Sequence, residues 1–388
     1  MENASLAIVI PALNRPHNLQ RLLGALDAAH YPTDCMIPLV FALDQSAEDG
    51  FHAPTLKLME NYQWSHGSKV IFKAPHPLGV RDNLLRCGRL TQDHQGVIVL
   101  EDDLWVTPLF YTAAQKLWYA YRNHPKIGAI SIYSFRYNEH AARAFTPIKD
   151  NSDTYFIQTS SSWGQVWWKR VWAPFEAYLQ NPHNQNPVQI PLDIQAWDDS
   201  WKKDHIQYLA NANLFTVVPR ASFTTNMGSA GKHHQGLPNL LQADLAAGDV
   251  LNHLETIENS GAVYDAFFEP IPQTLKALFP KLQHPLEADF YGIKPLSMLN
   301  GKRCVSAKES SAPLKRYSHR LRPDVLNLHL PQDNGFFQEA QGETLKQMDS
   351  QRLKTLFDKD FPNLSGKDGL KHSLSKLSQK FFSRNTPD

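Results

Sequence analysis

Short apolar runs rich in β-branched residues alternate with helical patterns along the first part of the chain, and this alternation restricts the fold more than any other feature. The runs lie at residues 6–10, 38–43, 69–72, 96–100 and 128–133. Helical patterns separate them at residues 18–28, 54–62, 81–90 and 108–122, the last with Thr107 as its expected N-cap and Pro108 at its first position. Because strands separated by helices are joined by right-handed crossovers, the sequence predicts an α/β fold with a mostly parallel sheet flanked by helices.

Composition excludes several classes of protein. The 388 residues are 42% hydrophobic and 20% charged, which suits a soluble globular protein, and the formal net charge of +1 argues against a general nucleic-acid binder. The cysteines, Cys35, Cys87 and Cys304, have neither the density of a disulfide framework nor the spacing of a structural zinc site. The N-terminus lacks the basic region of a signal peptide, and no segment is as apolar as a membrane span. We therefore expect a cytoplasmic protein.

The pattern of predicted secondary structure changes twice along the chain. Residues 1–245 carry the α/β pattern, residues 246–300 read as a helical extension interrupted by prolines, and residues 301–388 form a C-terminal region without recognisable chemistry. The tail has apolar residues at helical spacing among lysines and arginines, namely Leu370, Leu374, Leu377 and Phe381. Such a helix either packs on its own domain or rests on anionic lipid, which would make the protein a peripheral membrane partner.

Three carboxylates follow directly on a buried strand in the segment VIVLEDDL, residues 97–104. Ligands of open α/β sheets bind beyond the carboxyl ends of the strands, where Glu101, Asp102 and Asp103 are expected to lie. Clustered carboxylates repel one another, so they persist there if water or a cation compensates them. The segment is therefore either a solvated acidic turn or a site for Mg²⁺ or Mn²⁺.

Six segments together resemble one enzyme class, the GT-A glycosyltransferases. They read AIVIPALNRPHNLQRLLGAL (7–26), FALDQSAED (41–49), HPLGVRDNL (76–84), VIVLEDDLWVTPLF (97–110), SSWGQVWWKRVW (161–172) and AWDDSW (196–201). The first four are similar to the family-two enzymes, and the last resembles the W-D-D-W of N-acetylglucosaminyltransferase I, which Ser200 interrupts. The resemblance covers about the first 245 residues and implies a GT-A fold, with a Rossmann-like sheet and a C-terminal extension.

The resemblance also implies roles for individual residues. The first loop would cradle the nucleotide, Asp44 would meet its base, Asp103 would bind the metal, and Asp199 would be the catalytic base. Glu101 and Asp102 would support the metal ligand or contact the ribose. The donor-binding residues implied in this way are Pro11, Ala12, Asn14, Arg15, Asp44, Arg81, Asn83, Glu101, Asp102, Trp163, Gly164 and Asp198.

A loop rich in glycine and histidine, NMGSAGKHHQ, covers residues 226–235. By the same resemblance it would be a lid over the donor, with Lys232 or His234 near the diphosphate and His233 or His234 as a further metal ligand. An ordinary loop explains these residues nearly as well. Plain structural interpretations also exist for other candidates: Asp198 and Asp199 could stabilise a helix N-terminus, and Asp44 could form a turn.

The implied reaction is a metal-dependent, inverting transfer of a sugar from a nucleotide diphosphate sugar, with UDP expected as the nucleotide and Mn²⁺ or Mg²⁺ as the cofactor. The acceptor would be a hydroxyl of a glycan or lipid-linked glycan, as in bacterial surface polysaccharide synthesis. A noncatalytic GT-A-like binding module is one alternative. A nucleotidyltransferase is another, although PALNRPHN (11–18) lacks the glycine-rich signature that typically follows the first strand of those enzymes.

Overall fold

The computed structural model describes residues 5–181, 190–227 and 241–362. The chain divides into two compact units that are interleaved in sequence. The first unit comprises residues 1–134, 151–188 and 198–257, and the second comprises residues 135–150, 189–197 and 258–388. The segments predicted to end at residues 245 and 300 remain a prediction.

Strands and helices alternate along much of the chain. The strands are β1 (Ala7–Ala12), β2 (Leu39–Leu43), β3 (Lys69–Lys73), β4 (Val97–Leu100), β5 (Leu104–Val106), β6 (Ile127–Ser131), β7 (Tyr137–Asn138), β8 (Arg143–Ala144), β9 (Thr154–Ile157), β10 (Trp163–Trp167), β11 (Phe215–Pro219), β12 (Thr224–Asn226), β13 (Val263–Tyr264), β14 (Glu287–Asp289), β15 (Arg303–Ser306), β16 (Lys315–Tyr317) and β17 (Phe337–Gln341). The helices are α1 (Pro16–Asp27), α2 (Ala53–Asn61), α3 (Gly79–Arg89), α4 (Phe110–Tyr121), α5 (Lys169–Gln180), α6 (Leu192–Gln195), α7 (Trp201–Asn211), α8 (Pro272–Leu278), α9 (Leu296–Leu299) and α10 (Ser350–Asp360). Short 3₁₀ helices lie at Leu90–Gln92, Asp324–His329 and Gly342–Thr344.

The first unit is built on a large sheet with the strand order β9-β11-β6-β10-β4-β1-β2-β3. The neighbours β3, β2, β1 and β4 run parallel to one another, as do β6 and β11, whereas β9 and β10 pair antiparallel with their neighbours. Every residue of β1, β2 and β4 is buried, so these strands form the core between the flanking helices. The predicted α/β fold with a mostly parallel sheet is confirmed.

Local sequence accounts for the first helix. Pro16 occupies its first turn, where a missing backbone N–H costs nothing, and the leucines on one face, Leu19, Leu22, Leu23 and Leu26, are buried. The prediction for α4 needs correction, because the helix begins at Phe110 and Thr107 is not its N-cap. The backbone N–H of Thr107 donates to the carbonyl of Phe223 at 2.9 Å, which extends the pairing of β5 with β12 and keeps Thr107 out of the helix.

The second unit contains a small sheet with the order β14-β15-β17-β16. β14 and β15 are parallel, and β17 pairs antiparallel with both β15 and β16. Two residues of this sheet, Cys304 of β15 and Ala340 of β17, form a buried cluster with Leu299 and Leu345. Between residues 246 and 300, where the sequence predicts a helical extension, the described helices are the short α8 and α9. Within the described ranges, no helix has the length and apolar character to cross a membrane. The predicted basic tail lies outside the described residues.

Candidate active site

The three carboxylates of the EDD segment lie in the turn between β4 and β5. Asp102 and Asp103 are buried, with 3% and 8% of their surfaces exposed. Oδ2 of Asp103 accepts a hydrogen bond from Arg15, whereas its Oδ1 is buried without a partner. A buried carboxylate oxygen that accepts nothing is costly, and such an atom calls for an ion or a ligand. This observation favours a cation site over a solvated turn.

The predicted nucleotide loop between β1 and α1 meets this acidic turn. Pro11 and Ala12 are buried at the end of β1, and Asn14 is exposed. The Arg15 guanidinium places Nη1 at 2.9 Å from Oδ2 of Asp103 and Nη2 at 3.4 Å from Oδ1 of Asp102. Its side chain is still 41% exposed, so one edge of the guanidinium can reach a ligand. Two segments 88 residues apart in sequence thus meet in one charged site, called the acidic corner below, which consists of Arg15, Glu101, Asp102 and Asp103.

Burial and mutual repulsion make the corner receptive to positive charge. Burial, together with the neighbouring Asp103 and Asp102, raises the pKa of Glu101 to about 8 against the opposing charges of Arg15 and Lys202. Burial likewise raises the pKa of Asp102 to about 7, with Arg15 opposing the rise and Asp103 adding to it. The neighbouring carboxylates disfavour the ionised forms of Glu101 and Asp102, so a bound cation would stabilise both.

The residues at this corner fit a hard divalent cation. Proteins hold Mg²⁺ and Mn²⁺ through one or two carboxylates, and substrate phosphates and water complete the shell. Asp103 offers the free oxygen and Asp102 lies beside it. In the ranges that the structure describes, no three His, Cys, Asp or Glu side chains group as a metal site. The predicted ligands His233 and His234, and also Lys232, lie outside the described residues.

β10 brings the predicted donor-binding residues Trp163 and Gly164 to the same edge of the sheet. It runs antiparallel to β4, and Trp163 pairs with Leu100, the residue that precedes Glu101. Gly164 has a φ of +101°, and a Cβ there would lie 2.6 Å from Cγ1 of Ile132, so the bulge requires glycine. The Trp163 indole is half-buried and packs edge-on against Tyr133 at 4.7 Å. Trp167 and Trp168 are core residues instead, as their burial shows.

Asp44 and Asn83 tie helix α3 to the sheet. The buried Asp44 carboxylate accepts hydrogen bonds from the backbone N–H groups of Gln45 at 2.9 Å, Leu78 at 3.0 Å and Gly79 at 2.9 Å. Asn83 is also buried, and its Nδ2 donates to the carbonyl of Ala42 at 3.0 Å. These bonds show a positioning role at the start of α3. The contact of Asp44 with a nucleotide base remains a prediction.

Asp199 lies just before helix α7 with a φ of +46°, a strained conformation for a residue other than glycine. Its side chain is 80% exposed, and its Oδ1 lies 3.8 Å from Nε of Arg81. Asp198 is exposed as well. Ser200 is the N-cap of α7, since its hydroxyl accepts from the backbone N–H of Lys203 at 3.4 Å. The serine that interrupts the W-D-D-W pattern therefore does the capping, and neither aspartate is needed for it.

Two further residues, Asp204 and Lys202, contribute to this part of the structure although the sequence did not predict a role for them. Asp204 binds Arg81 through both Nε and Nη2, at 3.1 and 2.8 Å, so Arg81 is anchored to α7. The charge of Lys202 lowers the pKa of Glu101, so α7 lies close enough to the acidic turn to act on it electrostatically. In the sequence, Lys202 and Asp204 are ordinary charges at the start of a helix. The packing of α3 against α7 is what brings Asp204 to Arg81.

His205 anchors α7 in the core and should make the first unit sensitive to acid. Its Nδ1 shares a hydrogen bond with the Ser160 hydroxyl at 2.5 Å, and the ring packs against Phe175. Burial lowers its pKa to about 3, so the folded protein binds a proton less readily than the unfolded chain, in which histidine has a pKa of about 6.5. The neutral His205 ring therefore contributes to the free energy of unfolding above about pH 6.5. This contribution is lost as the pH falls toward about 3, at up to about 1.4 kcal/mol per pH unit.

The check is urea unfolding of the wild type and His205→Gln between pH 7 and 4. The free-energy difference between the two proteins should shrink as pH falls, because the glutamine side chain of the variant cannot be protonated. A difference that is constant over this range would contradict the assignment.

Comparison with known proteins gives distant structural neighbours. No family model matches the chain, and no curated protein sequence matches it. Similar solved structures include residues 1–349 of S. aureus TarS, at 11% identity and a TM-score of 0.35 over 57% of this chain and 59% of that one. The same TarS fragment in complex with UDP-GlcNAc is 13% identical, with a TM-score of 0.35 over 58% of this chain and 61% of that one.

A mannosyltransferase, PcManGT from Pyrobaculum calidifontis in complex with GDP-Man and Mn²⁺, is 10% identical, with a TM-score of 0.35 over 56% of this chain and 55% of that one. In each case the match spans less than two thirds of the neighbour's chain. At this level of similarity, the function has to be inferred from the residues of the site.

Proposed function

We propose that the protein is a metal-dependent, inverting glycosyltransferase of GT-A type that moves a sugar from a nucleotide diphosphate sugar to a hydroxyl of a glycan. The observation that carries this proposal is the buried, unpartnered Oδ1 of Asp103 beside Arg15, at the carboxyl ends of β4 and β1. A cation and a diphosphate are the pair of ligands that suits a carboxylate cluster adjoining a guanidinium.

Each group at the corner has a part in holding the donor. Asp103 would bind Mn²⁺ or Mg²⁺ with Asp102 in support, and the cation supplies Lewis-acid stabilisation of the leaving diphosphate. Arg15 would turn its exposed edge to the phosphate oxygens, since a planar guanidinium pairs with two of them at once. Trp163 would form part of the sugar site, because its strand places it beside Leu100.

Asp199 would act as the general base. Its exposed carboxylate can be reached by an acceptor from solution, and its Oδ1 lies 3.8 Å from the guanidinium of Arg81. The acceptor hydroxyl would give its proton to Asp199 while its oxygen attacks the anomeric carbon from the side opposite the diphosphate. Attack from that side inverts the configuration at the anomeric carbon.

The finer parts of the proposal concern the substrates. UDP is the proposed nucleotide, and a glycan or lipid-linked glycan of bacterial surface polysaccharide synthesis is the proposed acceptor, with the protein in the cytoplasm or on the inner face of the membrane. The noncatalytic binding module differs from the transferase in one measurable respect. It would bind the donor without releasing nucleotide from it.

The experiment is a thermal-shift panel of UDP-glucose, UDP-N-acetylglucosamine and GDP-mannose, each with and without Mn²⁺. A donor at 100 times its dissociation constant should add about 2.7 kcal/mol of stability, and we expect this only when Mn²⁺ is present. Nucleotide release is then followed for the donor that binds. Binding without any release, with a panel of glycan acceptors present, would favour the binding module. No shift with any donor would contradict both functions.

A further inference from the structure

The second unit contains a small cavity that the proposed reaction does not use. Its volume is about 30 Å³, roughly twice what a single water molecule needs. The walls are mostly aromatic and aliphatic, and the polar side chains on them, besides the tyrosines Tyr264 and Tyr291, are Thr146, Glu269 and Asp324. Thr146 is exposed at the rim, whereas Glu269 is completely buried. The cavity thus leads from an exposed edge to a buried carboxylate.

One oxygen of that carboxylate has no partner. Oε1 of Glu269 accepts a hydrogen bond from the backbone N–H of Tyr291 at 2.7 Å, and Oε2 accepts none. The other acid on the cavity wall, Asp324, is already engaged by Arg143 and by Lys359. Of the two acids on the cavity wall, Glu269 is therefore the one with an oxygen left to bind a ligand.

No cation of the described residues forms an ion pair with Glu269, although the charge of Lys294 opposes the rise in the pKa of Glu269 that burial and Asp289 cause. Asp265 and Glu287 share the ammonium of Lys294, which lies 2.5 Å from each. Asp289 is paired with Lys308 at 2.8 Å. Among the acids that are fully buried in the described part of this unit, Glu269 is the one that forms no ion pair. An unpaired buried carboxylate is unfavourable, so the site would gain stability from one positive charge.

The backbone before Glu269 is strained in a way that fixes its direction. Phe268 has a φ of +65°, which is costly for a bulky side chain. Oδ1 of Asp265 holds this turn by accepting from the backbone N–H groups of Phe267 and Glu269, at 2.8 and 3.0 Å. Such strain persists only where the surrounding structure imposes it, and it is frequent at binding sites.

The lining decides which kind of cation fits. A metal ion needs several oxygen ligands, and this cavity offers one free carboxylate oxygen among aromatic rings. Phe145 packs edge-on against both Tyr264 and Phe268, at 5.1 and 5.0 Å, so rings rather than oxygens surround the space. An ammonium group instead combines a charged hydrogen bond to a carboxylate with attraction to ring faces. The volume admits an ammonium and about one carbon, with any longer chain leaving past Thr146.

We propose that this cavity of the second unit binds the ammonium end of a small primary amine, with Glu269 as its counterion. The site shares no residue with those assigned to sugar transfer and needs neither donor nor metal. Its occupancy can therefore be measured whether or not the proposed transferase function holds.

The test is a titration of the full-length chain with methylammonium chloride at constant ionic strength, followed by thermal shift and by calorimetry. The wild type should show a saturable rise in melting temperature, and tetramethylammonium, which is too large, should show none. Glu269→Gln keeps the shape of the side chain and the bond to Tyr291 but removes the charge, so affinity should fall at least tenfold. Glu309→Gln, at an exposed position of the same unit, is the matched control and should bind as the wild type does.

A second variant covers the case in which Glu269→Gln fails to fold. Thr146→Trp changes only the exposed rim and should block methylammonium while leaving the melting temperature of the free protein nearly unchanged. Equal responses of the wild type and Glu269→Gln would overturn the proposal, as would equal responses to methylammonium and potassium chloride. A crystal soaked in methylammonium that shows only water at Glu269 would also overturn it.

Discussion

Asp199→Asn should lower the turnover of the proposed transferase by roughly 10² to 10⁴, the usual contribution of a general base. The amide cannot accept the proton of the acceptor hydroxyl, whereas the size of the side chain is unchanged. Binding of the donor should stay within about twofold of the wild type, because the donor is held at the acidic corner instead. The measurement is the initial rate of nucleotide release with saturating donor and acceptor, together with donor affinity by calorimetry.

The substitution suits this position for a structural reason. Asp199 has a φ of +46°, and asparagine tolerates the left-handed region better than other residues with a side chain, so the turn before α7 should survive. The control is Asp93→Asn, an exposed acid at the opposite, amino end of β4, which should leave turnover unchanged. If Asp199→Asn keeps the turnover of the wild type, Asp199 is not the general base, whereas the proposed role of the acidic corner in metal binding is unaffected.

Asp103→Asn should abolish the part of donor binding that depends on Mn²⁺. The amide keeps the shape of the side chain, but it removes the charge that would bind the cation, and without the cation the diphosphate faces Glu101 and Asp102 directly. We expect the stabilisation of about 2.7 kcal/mol by saturating donor and Mn²⁺ to fall to near zero. Thermal shift in the presence and absence of both components measures this effect.

The free protein should tolerate this change, and its own melting temperature is the internal check. Removing one of three clustered carboxylates relieves repulsion, although it weakens the contact with Arg15 at 2.9 Å. Asp93→Asn again serves as the control and should retain the full response to donor and Mn²⁺. An Asp103→Asn protein that keeps a Mn²⁺-dependent shift of wild-type size would show that the cation is held elsewhere.

The fold was predictable where local pattern and tertiary structure agree. The strands β1 to β4 and the helices between them carry a strong periodic signal, and the parallel sheet follows from their alternation. The place of β10 was not predictable, because its insertion between β4 and β6 depends on pairings across the chain. The predicted start of α4 was wrong for the same reason. The backbone of Thr107 pairs with Phe223 as in a strand, although the local sequence Thr107-Pro108 favours a helix N-terminus.

The candidate site shows the same division. The sequence pattern singled out the EDD turn and the family resemblance singled out Arg15, and the structure brings them into contact. It could not show that the Asp44 carboxylate is occupied by backbone amides, because that depends on how closely the start of α3 approaches β2. Nor could it show the partnership of Arg81 with Asp204, which joins two helices 123 positions apart.

The antiparallel course of β10 has a consequence for how such a protein could diversify. The beginning of β10, at Trp163, lies beside the end of β4, so Trp163 and the acidic turn come from separate stretches of the chain. Mutations in the residues just before Trp163 could change the surroundings of its indole while the acidic turn stays the same. Under the proposed function, substitutions in this segment would then change the preferred sugar without altering the residues proposed to bind the cation and the diphosphate. Related proteins with the same sheet could therefore come to use different sugars through substitutions in one short segment.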